Sequence, residues 1–244
     1  MKKVGKEFLQ QTRLANLSAS AQEDGLPQPL LTCEPLGTGV AIPLPSHENV
    51  HPTFPKFYDL VTKRRSLREY NSMSVSSAEL SYLLRCTQGV KKVVPGKATF
   101  RTVPSAGARH PMETFVLCNR VDEIPSGLYW YDAIEHRLKD FDIQPGIADQ
   151  LAKACCEQNF VRNSAVAFFW VAIVERTTWR YAERAYRYFF LDAGHICQNL
   201  YLASETIDCG ACAIAAFDDE QVNRLLRLDG DSAFTVYAAT VGKR

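Results

Sequence analysis

One large domain mixing helices with a β-sheet is what the sequence predicts, and three stretches carry that prediction. Residues 165–174 (AVAFFWVAIV) are apolar on both faces, the pattern of a strand at the centre of a sheet. Residues 127–131 (GLYWY) and 136–141 (HRLKDF) flank DAIE and read as a hairpin, whose aromatics either wall a pocket or pack the sheet. Residues 177–206 repeat apolar side chains every three or four positions, the period of a helix. At 1.5 Å per residue such a helix spans ~45 Å. Phe190, Leu191 and Tyr201 extend its apolar character nearly all round, so it is expected to be buried on every side, shared between two subunits. His195 on it reads as a core or interface histidine.

Composition sets the outer limits. The 244 residues, 46% hydrophobic, fit one large domain or a compact α/β unit. A formal net charge of +1 supplies no field for nucleic acid or an anionic membrane. No apolar run is long enough to span a bilayer. The basic start has no apolar core behind it, so a cytoplasmic location is expected. The eight cysteines read as small buried hydrophobes. Cys209 and Cys212 form C-x-x-C, yet no second pair or histidine follows at ligand spacing, so packing is favoured over metal or redox chemistry.

The remaining elements follow in order. Residues 1–54 are Pro-rich and read as an extended arm that needs a surface to lie on. Phe54, Phe57, Leu60 and Val61 recur at helical spacing and lead into Lys63, Arg64, Arg65, Ser66, Leu67 and Arg68. Four cations and a hydroxyl in six residues suit a phosphate, and equally a solvated helix end. Ser76 and Glu79 form a capping box that opens a helix ended by Gly89, and residues 91–111 after it read as a loop. Residues 101–111 (RTVPSAGARHP) are too rich in Pro and Gly for a helix or strand. Such a loop either turns tightly or lies flat against a planar ligand.

Residues 112–118 (METFVLC) read as a strand and 145–156 as a helix. Residues 207–217 (IDCGACAIAAF) are dense in Ala and Gly, so any role falls to backbone N–H groups in a tight turn. A short helix at 218–226 and a strand at 233–241 precede Gly242, Lys243 and Arg244, which could place another cation near a phosphate.

Four separated stretches together resemble the FMN-dependent nitroreductase family: KRRSLR at 63–68, PSAGARHP at 104–111, LDAGHICQNLYLASE at 191–205 and CGACAIAAFDD at 209–219. Within it, the SAG-x-RHP loop and the AGH-x-x-QNLYLA helix are most similar to the SagB-type (thiazole/oxazole-forming) dehydrogenases. The resemblance covers residue 55 to the C-terminus. It implies an α+β fold, a central and mostly antiparallel sheet flanked by helices, and an intertwined homodimer with two FMN sites at the subunit interface. It divides the chain into an arm, 1–54, and an FMN-binding domain, 55–244.

Carried onto this sequence, the resemblance implies that Arg64, Arg65, Ser66 and Arg68 hold the phosphate and ribityl chain. Pro104, Ser105 and Ala106 would reach the flavin of the other subunit. Ala213, Ile214, Ala215 and Ala216 would lie along the isoalloxazine, and Lys243 would add a phosphate contact. The implied activity is ping-pong hydride transfer with NAD(P)H as donor and a small molecule or peptide as substrate. SagB-type enzymes carry a Lys-Tyr pair before the long helix; here Arg180 and Tyr181 occupy that place, and Arg is a poor base. A general FMN oxidoreductase is therefore expected ahead of an azoline dehydrogenase, with a non-catalytic flavin carrier as the reading of another class.

Overall fold

The computed structural model describes residues 3–32, 39–46, 48, 50–53 and 55–244; the expected helical position Phe54 lies outside them. The arm is not extended throughout. It contains α1 (Val4–Gln11) and β1 (Ala41–Pro43), and β1 pairs with the edge of the main sheet. The basic run follows α2 (Phe57–Lys63), whose helical geometry stops at Arg64. Next comes α3 (Ser77–Gln88), opened by the capping box: Ser76 Oγ accepts the Glu79 N–H at 3.1 Å and Glu79 accepts the Ser76 N–H at 2.9 Å.

The stretch after Gly89 is not all loop. β2 (Val90–Val94) and β3 (Ala98–Arg101) form a separate two-stranded ribbon before the chain enters the 104–111 turn. The hairpin is weakly patterned because its lysines face solvent. Then follow β4 (Met112–Cys118), β5 (Gly127–Asp132), β6 (Arg137–Asp142), α4 (Ile147–Ala154), α5 (Phe160–Asn163) and β7 (Val166–Ile173). Every residue of β4 is buried, as is all of β7 except Ile173, which fits strands with covered faces.

The long periodic segment is two helices, not one. α6 (Val174–Tyr181) stops at Ala182, whose φ of 44° and ψ of −140° no helix permits, and α7 (Ala185–Glu205) resumes after one 3₁₀ turn. Nor is α7 covered on every side by its own chain. Phe190 and Leu191 are each 58% exposed, and Gly194, His195 and Gln198 continue that exposed stripe at helical spacing.

The Ala/Gly-rich segment forms a strand rather than a turn: β8 (Cys209–Ile214) pairs with the last strand, and α8 (Asp219–Leu225) separates it from β9 (Ala233–Lys243). The seven-stranded sheet runs β1-β6-β5-β4-β7-β9-β8, with antiparallel neighbours throughout. Two apolar cores lie on its faces. One holds α3 and α7 with Trp170 and Tyr131; the other holds α4 and α8 with Phe115 and Phe169. The fold is thus α+β, a mostly antiparallel sheet flanked by helices.

Candidate functional site

The Arg64–Arg68 run lies along the free edge of β8. Ser66 bridges Ala211 in parallel, and the Leu67 N–H donates to the Ala211 carbonyl at 2.9 Å. This approach depends on glycine: a Cβ on Gly210 would lie 2.4 Å from Leu67 Cδ2. From α7, Tyr201 reaches into the same place. Its hydroxyl accepts the Ala213 N–H at 2.8 Å and is 2.9 Å from Ser66 Oγ. The Arg64 guanidinium lies 5.1 Å from the centre of the Tyr201 ring.

Arg64 is half-buried, Arg65 and Arg68 are exposed, and among the described residues none of the three pairs with a carboxylate. Ala213 is half-buried, and Ala215 and Ala216 are exposed beyond the end of β8. Ile214 differs: its side chain belongs to the second core with Val222 and Leu226, so only its backbone faces this edge. Three cations and a hydroxyl beside a strand of small residues can take a phosphate at one end and a flat ring along the strand.

Lys243 does not join that group. Its Nζ donates to Glu79 and to the Ile207 carbonyl, so it neutralises the carboxylate that caps α3. Cys209 and Cys212 sit three apart on β8 and therefore point to opposite faces. Burial pushes the Cys209 thiol up to about 12, which leaves it protonated and inert.

A second cluster surrounds the 104–111 turn. Ser105 donates to Asp192 Oδ2 at 2.6 Å and accepts the His110 N–H at 2.9 Å; Pro104 is exposed, and Ser105 and Ala106 are half-buried. Burial raises the Asp192 carboxyl above its ordinary value, and the Ser105 hydrogen bond opposes that shift. Gly107, Ala108 and His110 have φ of 59°, 54° and 44°. Tyr181 stands over Gly107: a Cβ there would lie 2.6 Å from the Tyr181 hydroxyl oxygen and 3.2 Å from Arg180 Cδ. The Arg180 guanidinium is 5.7 Å from the Tyr181 ring centre. The structure therefore brings Arg180 and Tyr181 together with the turn.

Beneath this turn lies a buried ionic group that sequence reasoning missed. Arg176 pairs with Glu113 at 2.7 Å, with both side chains under 7% exposed. Glu113 also accepts the Trp130 Nε1–H at 3.0 Å, and Arg101 donates to Gln88 at 2.9 Å. Burial, helped by Arg101, Arg109 and Arg176, pushes His110 down to about 3, so its imidazole is neutral. These residues come from α3, β3, β4, β5 and α6, and no local spacing links them.

α7 carries one member of each cluster, Asp192 and Tyr201, nine residues or about 14 Å apart. In one chain the turn cluster and the basic cradle are thus separate places. Among the described residues no helix is long and apolar enough to cross a membrane.

Known proteins resemble this chain in sequence and in fold. The profile described as the nitroreductase family matches residues 61–243. A Methanocaldococcus jannaschii protein provisionally named a nitroreductase is 32% identical over 193 residues, 79% of this chain and 92% of that one. The trifolitoxin-processing protein TfxB of Rhizobium leguminosarum is 30% identical over 175 residues, 68% of this chain and 47% of TfxB. A crystal structure from Anabaena variabilis, also provisionally named a nitroreductase, superposes with a TM-score of 0.72 at 25% identity, covering 98% of this chain and 46% of that one. The chain therefore spans about half the length of TfxB and of the Anabaena protein. A nitroreductase-like structure from Desulfovibrio desulfuricans, solved in complex with FMN, shares the fold with a TM-score of 0.54 at 19% identity, over 78% of this chain and 87% of that one.

Proposed function

The chain belongs to the nitroreductase family, and we propose that it is an FMN-dependent oxidoreductase passing two electrons from NAD(P)H to an acceptor by a ping-pong mechanism. The cradle carries this reading: three guanidinium groups without carboxylate partners among the described residues, beside a strand of small residues, with Tyr201 tying the two together. When bound, FMN supplies the two-electron chemistry. The chain's own part is to hold and orient it. Arg64, Arg65, Ser66 and Arg68 bind the phosphate and ribityl chain, because guanidinium groups offer paired donors to phosphate oxygens. The backbone of residues 213–216 lies along the ring. Lys243 keeps a structural task, since Glu79 already holds its ammonium.

Two features support a homodimer. Asp192 and Tyr201 stand about two and a half turns apart, on opposite sides of α7, which supports a ligand drawing on the two clusters from two copies. The exposed stripe of Phe190, Leu191 and His195 gives a second copy an apolar face to cover. In this reading Pro104, Ser105 and Ala106 reach the flavin of the partner copy, residues 55–244 form the flavin domain and 1–54 the arm, in the cytoplasm.

TfxB and the meeting of Tyr181 with Gly107 favour a second reading, an azoline dehydrogenase acting on ribosomal peptides. A guanidinium such as that of Arg180 makes a poor base. Of the pair, Tyr181 is then the residue beside Gly107 able to give or take a proton. Tyr181→Phe tests this; unchanged turnover of a confirmed substrate removes Tyr181 from the chemistry. A non-catalytic flavin carrier is the reading of another class. Electron flow from NAD(P)H to an artificial acceptor tests the main proposal against it, because a carrier gives none.

A further inference from the structure

The N-terminal segment returns to the α6–α7 junction and borders an open pocket there. Arg184 donates to the Thr12 carbonyl at 2.9 Å, and Arg187 to Thr12 Oγ1 and the Leu9 carbonyl at 2.6 Å each. Further along, the Gln22 N–H donates to the Trp179 carbonyl at 2.8 Å, and Trp179 Nε1–H to the Leu26 carbonyl at 2.9 Å. Tied at both ends, residues 12–26 leave a space of about 590 Å³ beside Tyr181. That volume lies within the usual range of small-molecule sites, roughly 300–1,000 Å³.

The walls are mixed and carry a net positive charge. Leu14 and Leu17 give an apolar side, and Arg180 and Arg184 give two cations. Glu23 adds one carboxylate, held ionised at the arm side of the wall by the Ser20 N–H and hydroxyl, which donate to its Oε2 at 2.8 and 2.9 Å, so the two cations outnumber the one anion. Arg184 donates to Thr12 and Tyr188 and has no carboxylate partner among the described residues. Arg180, an exposed residue, has neither an ion-pair partner nor a hydrogen-bond partner among them, and its guanidinium lies 5.7 Å from the Tyr181 ring centre. Ala182, also in the wall, is held at φ 44°, a strained conformation of the kind that clusters at ligand sites.

We propose that this pocket binds a small organic carboxylate, with Arg180 as its charge partner and Leu14 and Leu17 against its apolar body. The inference rests on the oxidoreductase reading for its purpose, since Tyr181 is the wall shared with the 104–107 turn; binding itself requires no turnover.

The test is a calorimetric titration without an electron donor, using 4-nitrobenzoate and its neutral counterpart 4-nitrobenzamide. The carboxylate is expected to bind about tenfold more tightly. Arg180→Gln, a change at an exposed position checked by circular dichroism, should bring it to the level of the amide. Equal affinities in the wild type, no binding of either probe, or an unchanged preference in Arg180→Gln would overturn the proposal. The visible absorbance of the same samples reports flavin separately, so a failed cofactor reading and a failed carboxylate site give different results.

Discussion

The Tyr201 hydroxyl accepts the Ala213 N–H at 2.8 Å while standing 2.9 Å from Ser66 Oγ, so one phenol joins the basic run to the small-residue strand. Removing it leaves a backbone donor and a serine without their partner. Tyr201→Phe is expected to weaken FMN binding about tenfold, the effect of losing one or two hydrogen bonds of ~1 kcal/mol each. Quenching of FMN fluorescence on titration measures this. Wild-type affinity in the variant would show that the phenol does not shape the cradle.

Arg65 and Lys243 separate phosphate binding from structural support. Arg65→Ala should lower FMN affinity about tenfold and leave the urea midpoint unchanged. Lys243→Met should do the reverse, because it strips the Glu79 carboxylate of its cation. A loss of about 1 kcal/mol is expected there, with FMN affinity within twofold. The opposite pattern would return Lys243 to the phosphate site.

Gly107 is where the turn meets Tyr181. Its φ of 59° disfavours a side chain, and a Cβ would meet the Tyr181 hydroxyl oxygen at 2.6 Å. Gly107→Ala is expected to cost roughly 1–2 kcal/mol in urea unfolding and to displace Tyr181. An unchanged midpoint would mean that the turn and Tyr181 separate freely in solution.

His110 makes stability depend on pH. Its folded value of about 3 lies below the ordinary 6.5, through burial first and then Arg101, Arg109 and Arg176. The unfolded chain therefore binds the proton more readily. The stabilisation is present above pH 6.5 and is lost as pH falls toward 3. Between pH 7 and 5 the wild type should lose roughly 2 kcal/mol more than His110→Gln. Parallel stability profiles for the two proteins would refute a buried neutral imidazole.

Much of the sheet was legible because burial writes itself into the sequence. The apolar run of β7, the METFVLC strand, the GLYWY hairpin and the capping box of α3 all carry local signals. The break at Ala182 carries none, since alanine is a strong helix former held at positive φ by its surroundings. β8 resembled a turn because Ala and Gly are poor strand formers, yet small residues are what let Leu67 and Tyr201 close on it. The Arg101, Glu113 and Arg176 group was invisible for a different reason: its members meet only after four or more elements have packed. Of the expected site, Arg64 and Ser66 come together with Ala213, and Arg180 and Tyr181 meet the 104–111 turn. Lys243 pairs with Glu79, the acid that caps α3.

The central claim is that the cradle holds a redox-active flavin. The visible absorption spectrum of the purified protein, supplied with FMN and recorded before and after anaerobic NAD(P)H, tests it most directly. The account predicts a protein-bound flavin spectrum that bleaches on addition of the donor. A protein that retains no FMN after gel filtration would contradict the cofactor assignment and, with it, the roles given to Arg64, Arg65, Ser66, Arg68 and Ala213.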